Sequence, residues 1–103
     1  MRVTLHWIAV IILLGATGPA RADYELVVKK NCLACHQIDK RKYGPNFKEI
    51  AVKYADKKNA TNILANKIRR GGTGVWGPDV MPAQPQVSAA EAKLLAQYVL
   101  SLK

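Results

Sequence analysis

Residues 32–36 read Cys32-Leu33-Ala34-Cys35-His36, and they contain the only two cysteines of the chain. The spacing puts two thiols about one helical turn apart with an imidazole directly after them, the arrangement that tethers the two vinyl groups of a haem and ligates its iron. A structural zinc site would need four nitrogen or sulfur ligands, and only Cys32, Cys35 and His36 are on offer downstream of residue 22, crowded into one turn. A thioredoxin-like dithiol would want a parallel strand-helix-strand context, and no alternating or buried strand run is legible anywhere. The rest of the chain is therefore read against a covalently held haem.

The N-terminus indicates the compartment. Arg2 supplies a positive start, Trp7 to Leu14 is an unbroken apolar run, and Gly15 to Pro19 precedes Ala20-Arg21-Ala22, an A-x-A cleavage pattern. Eight apolar residues are too few to cross a hydrocarbon core, which takes about twenty. Residues 1–22 are expected to be a cleaved secretory signal peptide and 23–103 a single domain.

Without that leader, fourteen basic and seven acidic residues remain, a net charge of +7, and His36 becomes the sole histidine. A domain of this size has a marginal core of its own. A bound apolar macrocycle would enlarge it.

The chain then reads as helices joined by loops. Asp23 is placed to cap a first helix with Tyr24, Val27, Val28 and Asn31 on one face, leading into Cys32. Gln37 to Lys42 is charged and unpatterned, and Tyr43-Gly44-Pro45-Asn46 is a turn cluster. Phe47, Ile50, Ala51 and Tyr54 recur at helical spacing with Lys48, Glu49, Lys53 and Lys57 outside the stripe. Asn59 is placed to cap a further helix carrying Ile63, Leu64, Lys67 and Ile68 inward, closed by Gly71-Gly72. A long Gly/Pro-rich loop spans residues 71–86. Ser88-Ala89-Ala90-Glu91 has capping-box spacing and opens a last helix with Leu94, Leu95, Tyr98, Val99 and Leu102 as its apolar stripe.

Met81 lies in that loop, followed by Pro82, and is the only methionine besides Met1. A large apolar residue in a Gly/Pro-rich loop is poorly placed for core packing, so its thioether reads as the second axial ligand of the iron. With both axial positions filled by protein, the iron has no open site and cycles between Fe(III) and Fe(II). That is an electron carrier and not an enzyme. The absence of a distal histidine also speaks against peroxidase chemistry. Two other classes are a haem-based ligand-binding or sensor module with a labile Met81, and a haem-free thiol oxidoreductase.

Cys32-Leu33-Ala34-Cys35-His36, Tyr43-Gly44-Pro45, Gly74-Val75-Trp76-Gly77-Pro78, Met81-Pro82 and a capped final helix together resemble the short bacterial class I cytochromes c, over essentially all of residues 23–103. The resemblance implies an all-α fold of about four short helices wrapped round one haem c, with the N- and C-terminal helices packed together. It implies thioethers at Cys32 and Cys35, axial ligation by His36 Nε2 and by Met81, a Pro45 carbonyl accepting the His36 Nδ1 proton, and a Trp76 indole donating to a haem propionate. It also implies that Lys67 or Arg69 offsets propionate charge. The chain departs from many relatives after Met-Pro, reading Ala83-Gln84 where they carry proline and asparagine. Gln84 either substitutes for that amide near the sulfur or fails to reach it.

The implied setting is the periplasm and the respiratory chain. A membrane cytochrome complex would be the donor, and a terminal oxidase, nitrite reductase or peroxidase the acceptor. A monomer is expected, with no nucleic-acid partner and no stable membrane insertion after cleavage. Lys29, Lys30, Lys40, Arg41, Lys42 and Lys48 flank the haem-bearing segment and would steer it onto acidic docking surfaces.

Overall fold

The computed structural model of the chain describes Val3, residues 9–11 and residues 19–103, with side chains from Asp23 onward in that last stretch. Most of the expected leader lies outside the described residues. Among them are four α-helices, α1 (Pro19–Lys29), α2 (Phe47–Tyr54), α3 (Ala60–Arg70) and α4 (Ala89–Leu100), with a 3₁₀ turn at Cys32–Ala34 between α1 and α2. No strand occurs among the described residues; a single antiparallel bridge joins Gly72 to Met81. Among the described residues, no helix is long and apolar enough to cross a membrane.

The final helix is the hub. α4 packs against α1, α2 and α3. It presents Ala92, Leu95, Ala96, Tyr98 and Val99 to a core shared with Val27, Phe47, Ile50, Tyr54, Leu64 and Val87. Its start is the expected capping box: Glu91 N–H donates to Ser88 Oγ at 3.1 Å, and Ser88 N–H donates to Glu91 Oε1 at 3.0 Å. These bonds satisfy donors that the first turn of a helix leaves without partners.

The α2 stripe is buried as read, with Phe47, Ile50, Ala51 and Tyr54 all inside. A second capping box, absent from the sequence reading, starts this helix. Asn46 Oδ1 accepts from Glu49 N–H at 2.7 Å, and Asn46 N–H donates to Glu49 Oε1 at 2.9 Å.

Four local expectations are corrected. α1 begins at Pro19 and not at an Asp23 cap, because proline is pre-organised for a first helical position and Ala20, Arg21 and Ala22 continue the helix readily. On α1 only Val27 of the expected face is buried; Tyr24 and Val28 are exposed, and Asn31 adopts a left-handed conformation (φ 62°) that ends the helix. Asn59 is likewise left-handed (φ 61°) with no side-chain cap bond, so it turns the chain into α3 through its backbone. Leu94 faces outward at 44 % exposure, since α4 turns Ala92, Leu95, Ala96 and Val99 inward and leaves this edge of the stripe to solvent.

Candidate functional site

The local fold brings the motif residues onto one pocket. The left-handed Asn31 delivers the chain into the 3₁₀ turn, which is held by His36 N–H donating to the Cys32 carbonyl at 3.0 Å. The following loop folds back over the turn, with Gly44 N–H on the Cys35 carbonyl at 2.8 Å and Phe47 N–H on the Gln37 carbonyl at 2.9 Å. That return brings Pro45 to His36: the imidazole Nδ1 and the Pro45 carbonyl oxygen are 2.7 Å apart. Phe47, the first residue of α2, stacks on the His36 ring at 5.5 Å between centroids and 24° between planes.

These contacts fix the ring. A bond from Nδ1–H to a carbonyl sets the tautomer and leaves Nε2 as the nitrogen available to a metal. Proline suits the acceptor position because its restricted φ holds the carbonyl in place.

Another wall comes from the loop after α3. Gly71 ends that helix at φ 77°, and Gly72 and Met81 exchange paired backbone hydrogen bonds. Gln84 N–H donates to the Ile68 carbonyl at 3.1 Å, tying the loop to α3 a second time. Met81 is thus half-buried and held by its own backbone.

Cys32, Cys35, His36, Pro45, Trp76 and Met81 all line the resulting pocket, whose floor is apolar: Val27, Phe47, Ile50, Leu64, Leu95 and Val99. Lys67 also lines it, whereas Arg69 is exposed and lies off it. Arg41 lines the pocket too, oriented by an ion pair with Glu49 at 3.1 Å. The sequence placed Arg41 only in a docking patch. A signal for its real partner was present in Asn46-x-x-Glu49, whose capping-box spacing fixes Glu49 at the start of α2.

Gln84 also lines the pocket, but its amide is engaged within the loop. Its amide nitrogen donates to the Pro82 carbonyl at 3.0 Å, and its amide oxygen accepts from Gln86 Nε2 at 2.7 Å. The docking patch is also narrower than expected. Lys30 donates to the Gln86 carbonyl at 3.0 Å and pairs with Glu91 at 3.1 Å, whereas Lys42 reaches only the neutral Leu33 carbonyl at 3.4 Å and keeps its charge.

The surroundings of Cys32 do not activate it as a thiol nucleophile. Burial pushes the Cys32 thiol above its ordinary value, outweighing a backbone hydrogen bond that lowers it. An attacking thiol needs the opposite shift. Among the described residues, no group of three His, Cys, Asp or Glu side chains is arranged to hold a metal ion alone. A haem fits what is present: two thiols and an imidazole at the edge of an apolar pocket, with a thioether on the loop that closes it.

Fold and site together define a small, all-helical haem protein of the electron-transfer type. The chain belongs to the cytochrome c family, whose model matches residues 24–103. It is 51 % identical over 86 residues to cytochrome c-552 of Nitrosomonas europaea, covering 84 % of each chain. To cytochrome c-552 of Hydrogenobacter thermophilus it is 45 % identical over 93 residues, covering 90 % of this chain and 94 % of that one. The crystal structure of wild-type Nitrosomonas europaea cytochrome c552 superposes with a TM-score of 0.77 at 50 % identity, over 78 % of this chain and 99 % of that one. The chain is an all-α electron-transfer cytochrome carrying haem c on Cys32 and Cys35.

Proposed function

We propose that His36 and Met81 are the axial ligands of the haem iron, and that the protein shuttles single electrons between respiratory partners in the periplasm. When bound, the haem supplies the Fe(III)/Fe(II) couple. His36 presents Nε2 because Nδ1 is committed to Pro45 at 2.7 Å, and this contact carries the reading. Phe47 and Pro45 hold the imidazole, while the Gly72 bridge holds Met81, so ligand geometry changes little between oxidation states. The apolar floor disfavours the extra positive charge of the oxidised state and raises the potential. Trp76 donates its indole N–H to a propionate, and Lys67 and Arg41 offset its charge.

With both axial positions taken, the chain acts as a carrier and not a catalyst. The same backbone clamp on Met81 speaks against a sensor with a labile ligand. The leader is removed after Ala22, releasing a monomer from the membrane. A membrane cytochrome complex donates the electron, and a terminal oxidase, nitrite reductase or peroxidase accepts it.

The test is the optical spectrum of the exported protein. A thioether-linked porphyrin with a long-wavelength sulfur-to-iron charge-transfer band is expected, and Met81→Ala should abolish that band. A Met81→Ala spectrum identical to the parent, or ready carbon monoxide binding by the reduced parent at neutral pH, would sink the assignment.

A further inference from the structure

Two aromatic side chains in the pocket wall, Tyr54 and Trp76, each carry a lysine ammonium against the ring. Lys53 Nζ lies 5.2 Å from the Trp76 centroid, and Lys57 Nζ lies 5.0 Å from the Tyr54 centroid. Both aromatic residues line the pocket and neither lysine does, so each ammonium contacts a side chain of the pocket wall without lining the pocket itself. The two lysines are exposed, and neither joins an ion pair among the described residues. The helix sets this up. Lys53 and Tyr54 are neighbours in the last turn of α2, and Lys57 N–H donates to the Tyr54 carbonyl at 3.2 Å, folding Lys57 back over the ring.

We infer that Lys53 and Lys57 are positioning residues for electron transfer, fixing the aromatic wall and raising the potential of the haem through it. The inference rests on the reading of the pocket as the haem site with Trp76 facing an anionic propionate. An ammonium on one face of a ring is attracted to its π density and holds the ring in place. Withdrawing that density makes the indole N–H a stronger donor to an anion in the pocket. The positive charge also favours the more electron-rich, reduced state of the pocket contents, by an amount that depends on distance and local dielectric. Neither lysine needs to touch the haem for these effects.

A neighbouring cation provides the control. Lys58 is exposed, adjacent in sequence to Lys57, and lies over no aromatic ring among the described residues. Lys53→Gln, Lys57→Gln and Lys58→Gln therefore remove the same charge from one short stretch, but only the first two remove a ring contact. Lys53→Arg keeps both charge and contact. Trp76 is the only tryptophan in residues 23–103, so its indole proton gives an unambiguous signal.

The experiment uses the haem-loaded protein and reads the midpoint potential together with hydrogen exchange of the Trp76 indole in the reduced state. Lys53→Gln is expected to accelerate indole exchange roughly two- to fivefold, the factor carried by an exposed cation–π contact. At the parent's midpoint, Lys53→Gln and Lys57→Gln should each raise the oxidised-to-reduced ratio roughly two- to fourfold at low salt. Lys53→Arg and Lys58→Gln should stay near the parent in both readouts. The inference is overturned if Lys58→Gln lowers the potential as far as the other two, or if Lys53→Gln changes neither potential nor exchange. The charge-transfer band, recorded on the same samples, reports separately on Met81. Its absence from the parent would remove the ligand assignment and leave the exchange comparison as a test of the ring contact.

Discussion

Gly72 and Met81 are bonded to each other twice through their backbones, Gly72 N–H to the Met81 carbonyl at 3.0 Å and Met81 N–H to the Gly72 carbonyl at 2.8 Å. A thioether carried on a loop would ordinarily be the looser of two axial ligands. Here the loop is locked to the end of α3 at Met81 itself, the residue proposed as that ligand.

The lock depends on Gly71. Its φ of 77° is unfavourable for other residues, and a Cβ there would collide with the Met81 carbonyl oxygen and approach Ala83 N at 2.8 Å. Gly71→Ala should therefore cost about 1–3 kcal/mol from backbone strain and crowding. Thermal scans of the haem-loaded variant should lose the sulfur-to-iron band well below the temperature at which helical circular dichroism is lost. Coincident loss of the two signals at the parent's temperature would refute a local role.

The histidine side has a glycine with a different cause. Gly44 has no left-handed backbone; instead, a Cβ there would lie 2.6 Å from His36 Cε1 and 2.9 Å from Nδ1. The ring cannot give way, because Pro45 and Phe47 hold it. Gly44→Ala is expected to destabilise the haem-loaded protein by about 1–3 kcal/mol in denaturant titrations and to shift the His36 resonances. Gly74→Ala is a fitting control: its φ is 89° but nothing lies within 4 Å of the added atom, so only the backbone cost of about 1 kcal/mol applies.

What the sequence made legible follows from how local each signal is. The α2 stripe and the Ser88 capping box were read correctly because their determinants lie within a few residues of one another. Cys32, Cys35, His36, Trp76 and Met81 stood out because their residue types are scarce in this chain, whereas Pro45 came only from the family resemblance; all six line the pocket. The outward rotation of Leu94 was missed because helical spacing gives a face but not which edge of it a neighbour covers. Gly44 against His36 and Lys53 over Trp76 were also missed, since both contacts exist only after the loops have folded back. Lys30 and Arg41 looked like surface charge because their carboxylate partners, Glu91 and Glu49, are brought to them by other helices.

The pair of Lys30 and Glu91 makes a pH prediction. Glu91 is held below its ordinary carboxylate value of 4.5, chiefly by the Ser88 backbone N–H and then by Lys30. A depressed folded-state value means that the unfolded chain binds the proton more tightly, so the stabilisation is complete above about pH 4.5 and is lost as pH falls towards the lower folded value. Glu91→Gln keeps an oxygen for the capping box but cannot ionise. Its stability should fall less steeply than the parent's on acidification below pH 4.5, as measured by urea midpoints across that range. Parallel curves would contradict the assignment.

Lys30 itself is only 15 % exposed and joins α1 to both the Gln86 carbonyl and Glu91. Lys30→Met preserves the aliphatic stem while removing the donor. The expected loss is about 1–2 kcal/mol, above that of an exposed pair because the charge is largely enclosed. Adding Glu91→Gln to Lys30→Met should cost less than the sum of the single changes, since the partners share one interaction. Additive losses in a double-mutant cycle would show that the two residues act independently.

The ion pairs of Lys30 and Arg41 leave Lys29, Lys40, Lys42 and Lys48 as the exposed cations of the docking patch that join no ion pair among the described residues. Charges already neutralised nearby contribute little to the long-range field, so steering towards an acidic redox partner should fall mainly to these four. Lys40→Gln and Lys48→Gln are each expected to slow bimolecular electron transfer with such a partner at low ionic strength. Arg41→Gln should slow it less, because Glu49 already offsets that charge. All the rates should converge as salt rises, since the screening length shrinks from about 30 Å at 0.01 M to about 3 Å at 1 M. Stopped-flow rates against ionic strength make the comparison. A rate independent of salt in the parent would remove steering altogether, and a larger effect at Arg41 than at Lys48 would mean that the pocket rim, and not the free lysines, carries the attraction.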